Sequence, residues 1–239
     1  MEIGPKIIFK FDNGFFITET TVWSVIVAIF MIVMALWLTR RMEKVPKGKQ
    51  VVAEFIVEFL YKLTTDTMGK QAKGFAPYIG TLFIFLLIGN SLGLFGFRPI
   101  TADVNTTFAL AAITFMLIQV TAIQNHGVRG KLKEMCQPYP FMFPLNIIEQ
   151  LSFPISLGFR LFGNILGGVI VMTLLLNGLH VASEAIHLPI PLLQAVIPLP
   201  ANFFFDVFEP VLQAFIFTML SMVFISREII IQKAFSESH

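Results

Sequence analysis

The sequence predicts an all-α membrane protein with about five transmembrane helices and one amphipathic surface helix. Of its 239 residues, 56% are hydrophobic and only 13% are charged, and the mean hydropathy is +0.78. A soluble domain carries about 25% charged residues, and this much apolar surface cannot be hidden in a core of this size. Soluble and intrinsically disordered proteins are therefore excluded, and a single integral membrane domain is expected over residues 1–239.

Five stretches are apolar enough to cross a bilayer, which requires about 20 mostly apolar residues per helix. They are residues 22–38, 79–97, 108–123, 145–179 and 200–226. We interpret the first as a retained span and not a signal peptide, because Arg40 and Arg41 follow it instead of a small-residue cleavage site. Asn90 and several glycines interrupt the second, and the last two contain charged residues.

Residues 51–68 are predicted to form an amphipathic helix on the membrane surface or against a partner. Its apolar positions recur at helical spacing: Val52, Phe55, Ile56, Phe59, Leu60 and Leu63. Glu54, Glu58 and Lys62 occupy the other face, which argues against a membrane span.

The distribution of positive charge predicts the orientation of the chain. Most of the 17 Lys and Arg residues fall on one side, which holds residues 40–73, the loop after the third span with Lys131, and the C-terminus with Arg227. That side is expected to be cytoplasmic, with the N-terminus outside. The predicted segments are an N-terminal part with the first span (1–40), a cytoplasmic helix (50–70), membrane spans (77–125) and a final pair of helices (141–231).

Ionisable side chains at membrane depth are costly and therefore mark candidate functional positions. The candidates are Glu149, Arg160, Asp206 and Glu209, accompanied by the polar Asn164 and Gln213. Arg160 has apolar helix on both sides, and an arginine stays protonated in any plausible environment. It can therefore serve as a fixed positive charge but not as a proton carrier. The alternative is a structural ion pair with one of the acids.

Small residues surround Arg160 on its own helix face, which includes Ser156, Gly163 and Gly167. Small residues allow another helix to approach closely within a bilayer. A partner helix is therefore expected to pass near the guanidinium group.

Asp206, Glu209 and Gln213 are three and four residues apart and are predicted to share one helix face. That face would line an aqueous path with two carboxylates, and Gln213 can offer a donor and an acceptor to Arg160. Pro210 is expected to bend this helix or to start it afresh. The alternative for Asp206 is a hydrated position at the membrane interface.

Other features indicate little further chemistry. His180, Glu184 and His187 are expected in a short external loop, as a proton entry or simply in solvent. Cys136 is expected to be a free thiol in a loop. The sequence lacks nucleotide-binding, zinc-protease and serine-hydrolase motifs, and its net charge of +2 gives no reason to expect nucleic acid. Neither an enzymatic site nor a cofactor or metal is predicted.

Four segments resemble subunit a of the F-type ATP synthase. The most specific is PISLGFRLFGN at residues 154–164. GNSLGLFGF (89–97), PITADVNTT (99–107) and LQAFIFTMLSMVFIS (212–226) agree with it in order and spacing. The likeness covers most of the chain after about residue 50. The short length and the lack of a transit peptide suggest a bacterial member in the plasma membrane.

The resemblance implies a stator subunit beside a rotating ring of c-subunits, with peripheral-stalk b subunits and other ATP synthase subunits as partners. Its last two long helices would form a tilted hairpin facing the ring. Two half-channels would lead an ion to a ring carboxylate and away from it. Arg160 matches the family's essential arginine, whose charge favours the ionised ring carboxylate as it passes and blocks a direct leak.

The resemblance extends to other positions with one departure. Asn164 and Gln213 match the family's Asn and Gln, Asp206 falls where relatives have a half-channel His or Glu, and Glu149 resembles an acid ahead of the motif. Many members have Glu nine residues after the arginine, where this chain has Val169. The outer half-channel must then depend on other carboxylates, and the candidates are Asp206, Glu209 and Glu184.

Two other classes of function remain open at the level of sequence. A stand-alone secondary transporter or channel would use the same buried charges without a ring, and a membrane scaffold would not need Arg160 at all. The sequence does not name the ion, and H⁺ is favoured over Na⁺ by frequency alone.

Overall fold

The protein is a bundle of long helices, seen in a computed structural model that describes residues 7–10, 16–40, 42–136, 139–185 and 196–236. The helices are α1 (Glu19–Thr39), α2 (Lys49–Met68), α3 (Ala76–Asn90), α4 (Val104–Met135), α5 (Phe143–Ala185), α6 (Pro198–Phe203) and α7 (Glu209–Ser236). A π-helical turn, Phe204–Phe208, joins α6 to α7. Strands β1 (Ile7–Lys10) and β2 (Phe16–Thr18) form an antiparallel hairpin before α1.

Within the described residues, five helical segments are long and apolar enough to cross a membrane. They are Glu19–Thr39, Lys70–Phe95, Val104–Asn125, Pro140–Ala185 and Pro198–Ile229. The predicted all-α class with about five spans is therefore confirmed. The division into segments and the orientation across the membrane remain predictions.

The core lies where α7 packs against α3, α4 and α5. One buried cluster joins all four helices and contains Leu82, Leu86, Ala111, Leu157, Leu161, Ala214 and Phe217. A second cluster, which includes Met68, Ile79, Ile118 and Met222, joins α2 to α3, α4 and α7. Helix α1 lies at the periphery, because 6% of its apolar window is buried, compared with 44% for the last span.

Helix α2 covers the predicted residues 51–68 and is not among the membrane-span candidates. One side of it packs on the bundle through Leu60, Thr64 and Met68, all of which are buried. Val52 and Phe55 remain more than half exposed on an adjacent stripe. The helix therefore packs on the bundle while keeping an apolar surface free for lipid or a partner.

Helix α4 continues beyond the predicted end of the third span at residue 123, which corrects the expectation that Lys131 lies in a loop. The helix runs to Met135 across a break at Gly127, whose φ is +66°. Glycine adopts this left-handed conformation readily, so the chain can turn there and resume helical geometry. Lys131 is consequently helical and buried, and Cys136 follows the helix in a turn.

Helix α5 is one continuous helix of 43 residues, about 65 Å long at 1.5 Å per residue. It exceeds the bilayer's apolar thickness of about 30 Å. The prediction that His180 and Glu184 lie in a loop is wrong, because helix-favouring residues such as Ala182 and Ala185 carry α5 through this region. His187 lies outside the described residues.

The loop before α4 is fixed to α1 by buried polar contacts. The Asp103 carboxylate is 3% exposed and accepts hydrogen bonds from Thr20 Oγ1 at 2.7 Å and from the Asn105 backbone N–H at 3.0 Å. Thr101 donates to the Asn90 side chain nearby. Because buried polar groups must be paired, these bonds hold the start of α4 against the start of α1.

Candidate functional site

Arg160 lies near the middle of α5 with its side chain exposed at the side of the bundle. It lines a cavity of about 360 Å³ between α5 and α7. Other lining residues include Ser152, Ser156, Leu220 and Phe224. The guanidinium group is therefore presented to an open space and not to the core.

The structural ion pair considered for Arg160 does not form within the described part of the chain. The ion pairs seen there join Lys131 to Glu228, His180 to Glu184 and Arg227 to Glu149. None of Glu149, Asp206 and Glu209 pairs with Arg160. An unpaired charge at membrane depth is unfavourable, so this cation needs an anion from outside the chain or water.

The glycines of α5 divide the helix into covered and uncovered faces. A Cβ atom added at Gly158 would lie 3.2 Å from the ring of Phe108, which shows the close approach of α4. At Gly163 and Gly167, no described atom lies within 4 Å of such a Cβ. The small-residue face predicted around Arg160 is therefore uncovered by this chain.

Asn164 lies one helical turn after Arg160 on α5 and Gln213 lies on α7, and neither is hydrogen-bonded to Arg160 in the described structure. Asn164 is half-buried on α5, whereas Gln213 is 7% exposed on α7. No hydrogen bond between Gln213 and Arg160 exists in the described structure, so the role expected for Gln213 stays a prediction.

Asp206 and Glu209 lie at the end of the bundle where α5 ends and α7 begins, and both are half-buried. We call this end the outer half and the opposite end the inner half, after the orientation that the sequence predicts. The π-helical turn ends just before Glu209, and α7 starts there with Pro210 in its first turn, as expected for a residue without a backbone N–H. This turn separates the environments of the two acids. Asp206 Oδ1 lies 3.9 Å from a Cβ built on Gly93, and Glu209 Oε2 lies 3.5 Å from one built on Gly168.

The inner half of the bundle holds two ion pairs around a second cavity of about 450 Å³. Arg227 Nη1 donates to Glu149 Oε1 at 3.2 Å, and Lys131 Nζ donates to Glu228 Oε2 at 2.9 Å. The first pair is more than half exposed, whereas the side chains of the second are 8% and 10% exposed. Gln119, Asn146 and Gln150 add carboxamide groups to the cavity wall.

Sequence reasoning missed Lys131, Arg227 and Glu228 as parts of this cavity. Lys131 and Arg227 were interpreted only as positive charges flanking the spans. Glu228 follows Arg227 directly, and spacing alone did not relate it to a residue almost a hundred positions earlier. The helical continuation of α4 beyond Gly127 brings Lys131 to α7.

Glu184 lies at the outer end of α5, away from the inner cavity. Its carboxylate is 3.5 Å from His180 Nδ1, one helical turn earlier, and both side chains are mostly exposed. Val169, which replaces the expected carboxylate, is half exposed. Among the described residues, no group of three His, Cys, Asp or Glu side chains is arranged to hold a metal ion.

Comparison with known proteins relates this architecture to one family. The family model described as ATP synthase A chain matches residues 21–226. ATP synthase subunit a of Moorella thermoacetica is 37% identical over 211 residues, covering 88% of this chain and 90% of the relative. The relative from Propionigenium modestum, named as sodium ion specific, is 34% identical and covers 90% of this chain and 75% of its own length. The match covers nearly all of the five apolar segments and ends just before Arg227 and Glu228. The chain belongs to the ATP synthase A chain family.

Proposed function

We propose that this chain is the ion-translocating stator subunit of a rotary F-type ATP synthase and that Arg160 is its coupling charge. The observation that carries the proposal is the unpaired Arg160 side chain on an uncovered face of small residues. A stator charge must meet a partner that moves past it, so it cannot be held in an ion pair within its own chain.

In this proposal the c-subunit ring supplies the anion that would pair with Arg160. A carboxylate on a passing ring helix would come within a few ångström of the Arg160 guanidinium and be held ionised there. Gly163 and Gly167 leave room for the ring helix to approach. The ion released from that carboxylate would leave by one half-channel, while the next enters by the other.

The carboxylates above and below Arg160 are the proposed ion path. Asp206 and Glu209 would serve the outer half-channel, with Glu184 at its entrance, and Glu149 would serve the inner one. Asn164 and Gln213 would line the path between them. The chain itself carries no catalytic site in this proposal and needs no cofactor.

The subunit is proposed to work in a bacterial plasma membrane, with its N-terminus outside and its C-terminus in the cytoplasm. Its partners would be the c-ring, the b subunits of the peripheral stalk and other ATP synthase subunits. H⁺ remains favoured as the ion by frequency, although the relative from Propionigenium modestum is named for sodium. The identity of the transported ion is to be determined from the dependence of pumping on Na⁺.

A stand-alone transporter is the alternative function, and reconstitution separates the two. We expect vesicles that contain only the purified chain to show no ion conduction, and vesicles that contain the assembled complex to pump on ATP. Conduction by the isolated chain at rates comparable to the complex would favour the transporter.

Disulfide cross-linking tests where the ring lies. With Cys136 replaced by Ser, Gly163→Cys should cross-link to a cysteine placed on a ring helix, because the added side chain enters open space. Val169→Cys is the matched control, since Val169 is 50% exposed and lies about 120° around α5 from Gly163 and about 180° from Arg160. Equal cross-linking at both positions, or cross-linking only at position 169, would refute the proposed docking face.

A further inference from the structure

The two cavities along α5 and α7 share one boundary made of two residue pairs. The residues that line both are Glu149, Phe153, Phe224 and Arg227. Arg227 and Glu149 form an ion pair, with 3.2 Å between Arg227 Nη1 and Glu149 Oε1. Phe153 and Phe224 form a pair of packed aromatic rings, with 3.8 Å between the ring centroids. Each pair takes one residue from α5 and one from α7, and we call these four residues the septum.

The spaces on the two sides of the septum differ in chemistry. The inner cavity is rich in carboxamide and charged groups, including Gln119, Asn146 and Gln150. The cavity on the other side holds Arg160 beside Ser152 and Ser156. Both are large enough for several water molecules, which occupy about 30 Å³ each in the liquid. The septum therefore separates two spaces able to hold water.

We propose that the septum is the constriction of the inner half-channel, where a hydrated cation must shed water and pass along the Glu149 carboxylate. This inference rests on the proposed function and adds the residues that set the size of the passage. The rings of Phe153 and Phe224 close the apolar part of the boundary and leave the ion pair as the polar part. A cation is attracted more strongly to a carboxylate than to the face of an aromatic ring, so the carboxylate is the favourable route.

Arg227 has a definite task in this arrangement. Its charge is fixed, and it holds the Glu149 carboxylate against the edge of α7. A passing cation must compete with Arg227 for that carboxylate, and the competition keeps the cation from being trapped. Both side chains of the pair are more than half exposed in the single chain, so a partner must cover them before the passage is enclosed.

Thiol accessibility tests the septum independently of pumping. In a complex with Cys136→Ser, Gln150→Cys places a thiol in the inner cavity, and Ser156→Cys places one beside Arg160. The vesicles are inverted, with a membrane-impermeant thiol reagent outside. We expect the thiol of Gln150→Cys to react about tenfold faster than the thiol of Ser156→Cys, equivalent to roughly 1.4 kcal/mol of barrier. Equal rates at the two positions would overturn the inference.

Removal of the aromatic ring of Phe224 should widen the passage between the two cavities. Phe224→Ala in the Ser156→Cys background should raise the reaction rate of the thiol towards that of Gln150→Cys. Phe215→Ala, a matched truncation on the same helix that lines neither cavity, should leave it unchanged. If Phe224→Ala disturbs assembly, Phe224→Leu replaces it in the test, because it removes the aromatic contact with Phe153 with less loss of side-chain volume.

An unchanged rate with both Phe224 variants, or an equal rise with Phe215→Ala, would refute the septum. Failure of the septum and failure of the proposed function remain distinguishable. The thiol reaction rates test whether the septum restricts access, whereas cross-linking at Gly163→Cys tests whether the c-subunit ring docks on that face of α5.

Discussion

The outer and inner ends of the α5–α7 pair differ in how their carboxylates are partnered. In the outer half, Asp206 and Glu209 have no ion pair within the described structure and lie close to Gly93 and Gly168. In the inner half, Glu149 and Glu228 are each paired with a cation from another helix. The difference teaches that acids in one membrane domain can be left without an ion pair or be held by a cation of the same chain, and that of the two held acids only Glu228 is buried with its partner.

Arg160 lies between these two regions and shares the unpaired state of the outer acids. Paired charges such as Lys131 and Glu228 hold helices together, because separating them leaves a buried charge without compensation. An unpaired charge gains no such stabilisation from its own bundle, and in the proposed function it acts on a partner outside the chain. The predictions below separate these two uses of charge, from the largest expected effect to the smallest.

Neutralising an outer acid should slow transport more than any other change to the carboxylates. Glu209→Gln is expected to slow ATP-driven pumping by about a hundredfold, the lower end of what a positioned proton-transfer group contributes. Asp206→Asn should act in the same direction, and Glu58→Gln on the exposed side of α2 is the control. The measurement is the initial pumping rate in vesicles. Equal rates for Glu209→Gln and the control would remove Glu209 from the path.

Breaking the buried inner pair should affect stability most. Lys131→Met removes the ammonium group 2.9 Å from the buried Glu228 carboxylate and should destabilise the protein by about 3–5 kcal/mol. The double variant Lys131→Met/Glu228→Leu should recover most of that loss. Thermal unfolding in detergent measures both, with Lys62→Met on α2 as the exposed control. A double variant as unstable as the single one would contradict this account of the pair.

Crowding the outer carboxylate should have an intermediate effect. Gly168→Val places its Cβ 2.9 Å from Phe205 Cδ1 and 3.5 Å from Glu209 Oε2, and overpacking of this kind costs about 1–3 kcal/mol. We expect slower pumping together with reduced thermal stability. Gly178→Val meets no described atom within 4 Å of its Cβ and should change neither. Equal pumping rates and thermal stabilities for the two variants would show that the close approach of α5 to the π-helical turn does not affect transport or stability.

The exposed inner pair should contribute least to stability. Both side chains of the Glu149–Arg227 pair are more than half exposed in the single chain. Exposed ion pairs contribute about 0.2–1 kcal/mol, so Arg227→Gln should leave the thermal stability of the purified chain nearly unchanged. A loss as large as that of Lys131→Met would show that the pair holds the helices together.

The sequence predicted the spans better than it predicted the contacts between them. Apolar length and helical spacing were sufficient for the five spans and for α2. They failed at the helix ends, where Gly127 permits α4 to resume and helix-favouring residues such as Ala182 and Ala185 extend α5 through Glu184. These outcomes depend on local backbone freedom and propensity, which a count of apolar residues does not contain.

The candidate site was also predictable only in part. Arg160 and its small-residue neighbours stood out because a charge between apolar stretches is rare. The Lys131–Glu228 pair did not, because it joins residues 97 positions apart and depends on how α4 packs on α7. The same reason hid the septum, whose four residues meet only across two helices.

ATP-driven ion pumping by Arg160→Ala tests the central claim most directly. Vesicles with the assembled complex would carry wild type, Arg160→Ala or Arg40→Ala, an exposed control arginine after α1, in buffers with and without Na⁺. The account predicts that Arg160→Ala assembles but does not pump, that the control pumps normally, and that the wild-type response to Na⁺ identifies the ion. Normal pumping by Arg160→Ala would contradict the account, because the unpaired charge would then have no part in coupling.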